Sequence, residues 1–281
     1  MSKTRVLISV KTYPNLSKEY NELVCTAGFR EDGSWVRIYP IPFRLLGSEQ
    51  QYKKWQWISV DLTRNDKRDK RPESFRPNIM EPIEPLEILD ISKNKELGWK
   101  SRSSFALKKV YYSMQDIIDE CKETDMSLAT LKPKEVVDFF WKEEEQREWD
   151  SQKLAKVMAN LRQGNFFDDN DARQFIHVVR KLPYKFYYSF VTEDGKQRNL
   201  MIEDWEVGAL YWKMYDSYGS EDIACKKVRE KFLIDIRKDR DFYFFVGTTF
   251  EHHMKNAPDP FVIIGYFNPP VERNKQLSLF D

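Results

Sequence analysis

The chain has 281 residues, 41% apolar and 15% aromatic, which excludes a disordered polypeptide and suffices to bury a core without disulfides or metal. Lys and Arg number 46 against 45 Asp and Glu, so no global charge pushes the molecule toward nucleic acid and any such affinity must be local. The three distant cysteines, Cys25, Cys121 and Cys225, exclude a disulfide framework and point to a reducing cytoplasmic compartment; no apolar run is long enough for a signal peptide or a membrane span.

The first ninety residues read as β-rich. RVLISV, ELVCTAGF, WVRIYPI, WQWISVDL and LEILDI are five strand-like runs. Asp32-Gly33 between the second and third is a hairpin signal, because glycine accepts positive φ there. Prolines sit at the ends of these runs, where no ladder donor is lost. The expected form for residues 1–110 is a small curved β-sheet or partly open barrel.

The middle, 111–165, reads as a helical segment. Ser113 and Asp116 resemble a capping box ahead of MQDIIDECKET. PKEVVDFFWKEEEQREW fits a helix or a strand equally, since its apolar spacing suits one and its β-branched and aromatic content the other. SQKLAKVMANLRQG is a helix opened by Ser151 and closed at Gly164. NFFDDNDA is a loop and a domain boundary.

Residues 166–270 read as an α+β domain with antiparallel strands. KFYYSFVT and QRNLMIE make a second hairpin around residues 193–196. Helices follow over 203–219 and 221–236, the second capped by Ser220. DFYFFVGTT and PFVIIGYF are apolar strands, and Pro269-Pro270 lead into a tail over 271–281. In the first of those helices Trp205, Ala209 and Trp212 share a face, expected to pack in the core. The fold class is therefore α+β: a curved N-terminal sheet, a helical middle and a C-terminal α+β domain.

Two segments concentrate basic charge. Residues 64–77 carry a net +3, and 93–109 a net +5. The second also holds or adjoins Trp99, Phe105, Tyr111 and Tyr112, combining cations for phosphates with rings for stacking. The expected nucleic-acid contacts are Lys93, Lys95, Trp99, Lys100, Arg102, Lys108, Lys109 and Tyr112. Residues 116–150 carry a net −7, which reads as a solvated face.

Enzyme signatures are sparse. There is no zinc spacing, P-loop, dinucleotide fingerprint or nucleophile elbow, so no metal or cofactor is expected. Asp194-Gly195-Lys196 fits half of a metal-dependent nuclease pattern, with Asp168, Asp169 or Asp171 as distant partners, but EDGK is equally a hairpin turn. Gly247, Thr248, Thr249 and His252 lie where a strand gives way to a polar loop, a place for phosphate or catalytic contacts.

The tail carries the most specific signal. Gln276, Leu277, Ser278, Leu279 and Phe280 resemble the pentapeptide with which bacterial polymerases and repair proteins bind the sliding clamp, and all five positions match. At average residue frequencies this string arises at a given position about once in a million times. The resemblance implies that Leu279 and Phe280 fill an apolar pocket while Gln276 meets a polar one; the competing use of those residues is a clasp folded back on the body. The expected function is a bacterial or phage DNA-associated factor, recruited to replication or repair sites by this peptide, with sliding clamp and DNA as partners and no membrane. A DNA-processing enzyme such as a nuclease, and a pure interaction factor that occupies the clamp, are the rivals.

Overall fold

A computed structural model describes residues 3–17, 21–64, 69–78, 80–164, 178–234 and 240–271. The fold is α+β, built on two sheets. The first is a curled half-barrel ordered β6-β7-β4-β3-β1-β5-β8, with β2 against β3. Its strands are β1 (Thr4–Lys11), β2 (Asn15–Ser17), β3 (Asn21–Phe29), β4 (Trp35–Ile41), β5 (Gln56–Val60), β6 (Leu62–Arg64), β7 (Ser74–Pro77) and β8 (Glu84–Ile88). Each of the five expected runs contributes a strand. Gly33 has φ +78° in the β3–β4 turn, the conformation the hairpin signal requires.

The second sheet is ordered β11-β12-β13-β15-β14-β10-β9. It comprises β9 (Val110–Tyr111), β10 (Leu128–Leu131), β11 (Glu135–Glu143), β12 (Tyr184–Val191), β13 (Gln197–Ile202), β14 (Tyr243–Thr248) and β15 (Phe261–Phe267). The ambiguous run after Pro133 is thus a strand. Pairing with β12 from Glu135↔Val191 to Glu143↔Tyr184 decides the matter, a tertiary choice that periodicity cannot see.

Six α-helices are described: α1 (Lys95–Ala106), α2 (Met114–Thr124), α3 (Ser151–Gly164), α4 (Trp205–Tyr218), α5 (Glu221–Arg229) and α6 (Phe250–Met254). The Ser113 hydroxyl accepts from the amides of Gln115 and Asp116, opening α2. Asp204 caps α4 and Gly219 ends it at φ +64°; Ser220 caps α5. The buried face of α4 is Val207, Gly208 and Tyr211, and Ala209 is exposed. Of the expected Trp205–Ala209–Trp212 stripe, the two half-buried tryptophans pack against hydrophobic clusters, Trp205 on the first sheet and Trp212 on the second, and Ala209 alone faces out.

The core has three main parts. One lies between the second sheet and helices α2, α4 and α5, around Phe139, Tyr188, Tyr211 and Phe244. Another fills the first sheet around Val6, Ile38 and Ile58. The third joins the two sheets: Leu7, Phe29, Trp55 and Trp57 of the first half pack with Leu128, Phe245, Val262 and Ile264 of the second. Burial of such side chains is worth about 1.5–3 kcal/mol each, so the halves form one body. Several carboxylates of the acidic 116–150 segment are matched from elsewhere: Glu120 by Lys109, Asp138 by Arg229 and Glu144 by Lys185. No helix among the described residues is long and apolar enough to cross a membrane.

Candidate functional site

The basic-aromatic stretch forms α1 and its flanks, a helix the sequence reading did not draw. Asn94 caps it, its side chain accepting from the Leu97 amide at 3.0 Å. Gly98 is buried there, where a Cβ would lie 2.7 Å from the Asp90 carbonyl oxygen, so α1 sits close on the preceding chain. Lys95, Trp99 and Arg102 follow one another along the helix at spacings of four and three, which aligns them in a stripe.

The eight expected contact residues divide into two groups. Lys93, Lys95 and Lys100 are exposed and form no ion pair with a described residue. Tyr112 is half-exposed. Lys108 and Lys109 are already engaged, Lys108 donating to the Asp32 carbonyl and Lys109 to the Glu120 carboxylate at 2.7 Å. Trp99 and Arg102 turn inward against the central core.

There they border a cavity of about 190 Å³ with Lys54, Trp55, Glu206 and Phe267. The Arg102 guanidinium lies 5.1 Å from the Trp55 ring and 5.5 Å from the Trp99 ring. Its Nε and Nη2 both donate to the Leu89 carbonyl, at 2.8 and 2.6 Å. Burial lowers its pKa to about 10, only partly countered by Asp90. Across the cavity, Lys54 Nζ is 2.7 Å from Asp204 Oδ2 and 3.4 Å from Glu206 Oε1. Burial opposes the Lys54 charge, and the two carboxylates outweigh it and raise its pKa.

A larger cavity, about 450 Å³, opens at the other side of the junction beside Lys70, Cys121, Asp125 and His253. Sequence reading did not single out this place, because it is assembled from three separate segments. Arg71 forms a buried pair with Asp69 at 2.6 Å and donates to the Thr248 carbonyl. Arg37 donates from Nη2 to the Ser127 carbonyl at 3.2 Å. Cys121 Sγ is 3.7 Å from His253 Nδ1, and His253 Nε2 is 3.5 Å from Asp125 Oδ1. This has the order of a nucleophile, base and acid, but its electrostatics run the other way. Burial pushes the Cys121 thiol up, and burial together with Arg71 and Lys70 pushes His253 down to about 4. At neutral pH both groups are uncharged, so the pair supplies no thiolate.

The other motifs resolve into local structure. The Asp194 carboxylate accepts from Thr192 Oγ1 at 2.5 Å and from the Lys196 amide at 3.2 Å, and Gly195 has φ +75°; these residues make the turn of the β12–β13 hairpin. Asp168, Asp169 and Asp171 lie outside the described residues. Thr248 ends β14, and the Thr249 hydroxyl caps α6 by accepting from His252 N at 3.3 Å. No group of three or more His, Cys, Asp or Glu among the described residues is arranged to hold a metal. Cys25, Cys121 and Cys225 are free thiols. Gln276, Leu277, Ser278, Leu279 and Phe280 lie outside the described residues.

Two family models together span nearly the whole chain. Residues 2–108 match a domain of unknown function, DUF8758. Residues 110–281 match a second domain of unknown function, DUF8757. The two meet at the end of α1, where the central core crosses from one to the other. No curated protein and no solved structure matches the chain. The DUF8757 model covers more than half of the residues, and the chain belongs to that family, with a DUF8758 segment packed against it.

Proposed function

We propose that this chain is a DNA-associated accessory factor, recruited to replication or repair sites through residues 276–280, whose body contacts nucleic acid along α1. The observation that carries the second part is the surface of α1: Lys93, Lys95 and Lys100 are exposed, with no ion-pair partner among the described residues, beside a cleft with two indoles and a half-buried arginine. Free lysines bind phosphates by releasing condensed counterions, and rings nearby accept unstacked bases. The first part rests on the five-residue match to the clamp-binding peptide.

Each part has its own test. Retention on DNA should fall as salt rises, and Lys93, Lys95 and Lys100 changed together to Ala should flatten that dependence by about two to three phosphate contacts, at roughly 0.7–0.9 in log–log slope for each. Salt-independent or absent retention removes the nucleic-acid reading. A sliding-clamp pull-down should succeed with the full chain and fail with Leu279→Ala and Phe280→Ala combined. Capture unaffected by that pair removes the recruitment reading and leaves the nucleic-acid reading intact.

A further inference from the structure

The cleft beside α1 has aromatic walls and a polar lining. Phe267 is 5.1 Å from Trp55 and 5.7 Å from Trp99, ring centre to ring centre. The Arg102 guanidinium lies within 5.5 Å of both indole rings, and the Arg240 guanidinium is 5.3 Å from the Trp99 ring. Both of the Arg102 hydrogen bonds end on the single Leu89 carbonyl, leaving Nη1 without a described partner. Asp90 counters the charge only partly and forms no ion pair with it, and a half-buried cation so weakly compensated is a costly element of a fold. An acceptor-rich ligand offsets that cost.

The backbone beneath is held firmly. Trp55 has φ +63°, a left-handed conformation rare for a bulky side chain. Such strain persists only where neighbours over-determine it, and it clusters at ligand sites. Here the Trp55 amide donates to Ile8 O at 2.5 Å, and its carbonyl accepts from Leu89 N at 2.8 Å. Ile8, Trp55, Leu89 and Arg102 thus form one hydrogen-bonded chain that fixes the wall.

The size and lining select the ligand. About 190 Å³ is below the roughly 300–1,000 Å³ of sites for drug-sized molecules, so there is room for one ring system. Arg102 Nη1 presents a donor and the half-exposed Glu206 carboxylate, held in place by Lys54, an acceptor, the mixed pattern that reads the edge of a heterocycle. We infer that this cleft holds one unstacked nucleobase of a strand whose phosphates meet Lys95 and Lys100, the base lying against Trp99 with its edge toward Arg102 Nη1 and Glu206. The inference rests on the nucleic-acid reading above and specifies the part of the ligand that enters the protein.

The test compares, for the full chain, a single strand of about twelve nucleotides with an abasic sugar-phosphate strand of equal length, by fluorescence anisotropy. The base-bearing strand should bind on the order of tenfold tighter, within the range of base–aromatic stacking. Trp99→Ala should erase the difference, with an unchanged thermal melt as the check on folding. Should that variant unfold, Glu206→Gln, at an exposed rim position, should alter the ranking among the four homopolymer strands. Equal binding of both strands by the unaltered protein overturns the base pocket while leaving the lysine surface intact. Absence of binding by either strand overturns both. Quenching of tryptophan fluorescence by nucleoside monophosphates, without strand binding, assigns the pocket to a free nucleotide and likewise removes the strand proposal.

Discussion

Lys54, just before β5, and Asp204, at the start of α4, form an ion pair across the two family segments, with Nζ 2.9 and 2.7 Å from the two carboxylate oxygens. The Asp204 side chain is fully buried, and its Oδ1 also accepts from the Glu206 amide as the α4 cap. Asp204→Ala leaves the buried Lys54 ammonium with only the half-exposed Glu206 and removes the cap, and should cost about 3 kcal/mol in urea unfolding. Asp204→Asn keeps a capping oxygen and should recover about 1 kcal/mol of that loss. Lys54→Met combined with Asp204→Asn should be milder than Asp204→Ala. A double variant worse than Asp204→Ala would show that the pair does not act as a unit.

Stability should weaken on acidification through His253. Its pKa is lowered from 6.5 to about 4, by burial first and then by Arg71 and Lys70, while Asp125 opposes them. Between those values the unfolded chain binds the proton and the folded one does not. Stability is therefore undiminished above pH 6.5 and falls toward pH 4, by at most about 3 kcal/mol from this residue. His253→Gln should remove that share of the pH dependence. Parallel curves for the two proteins would contradict the assignment.

Lys11 should titrate near pH 8. Its Nζ lies 4.3 Å from the Phe43 ring centre and 5.5 Å from that of Trp205, and donates to the Tyr52 carbonyl at 3.1 Å. Burial, then repulsion by Lys54, lowers its pKa from 10.5 to about 8, against Glu206 and Asp204. From pH 8 to 10.5 the unfolded chain keeps a proton that the folded chain has lost, so this residue makes stability rise with pH there. Lys11→Met should raise the unfolding free energy from urea titration at pH 7 by about 1–2 kcal/mol, and lose that advantage by pH 10. Mass spectrometry after brief acetylation should find modification of Lys11 rising between about pH 7 and pH 9.

Gly28 should tolerate no side chain. It pairs with Ile8 in the β1–β3 ladder, and a Cβ there would lie 2.1 Å from the Leu7 carbonyl oxygen. Because the obstacle is backbone, Gly28→Ala must separate the two strands, at a cost of about 3 kcal/mol or more by analogy with overpacking. At Gly208 the obstacle is the Tyr13 ring, 2.2 Å away. A ring can move, so Gly208→Ala should cost less. Thermal melts of the two variants check the order.

The β-strands and helix caps were legible because their signals are local: Asp32-Gly33, Ser113, Ser220, and runs of alternating or continuous apolar residues. The helix α1 was not, because its sequence KELGWKSRSSFA lacks an apolar stripe. Its inward side is Gly98, Trp99, Arg102, Phe105 and Ala106, a face interrupted by one residue without a side chain and one with a charge. Asn94, followed by Glu96, was the available sign. The basic-aromatic character of that stretch was readable, but which of its cations are spent within the molecule was not. Lys109 is taken by Glu120, eleven residues on, and Lys108 by a carbonyl in a different hairpin. The junction cluster around Arg37, Arg71 and His253 was invisible for the same reason: no short window contains two of its segments.

The core shared by the two family segments sets a rule for inheritance. A chain cut near Lys109 would uncover Leu7, Phe29, Trp55 and Trp57 on one piece and Leu128, Phe245, Val262 and Ile264 on the other. Neither piece can keep those faces from water alone, and each would stick to its own kind. Exchange of one segment between relatives therefore succeeds only where the seam matches in shape, side chain for side chain. The two segments must vary together along this seam, while their outer surfaces remain free to diverge.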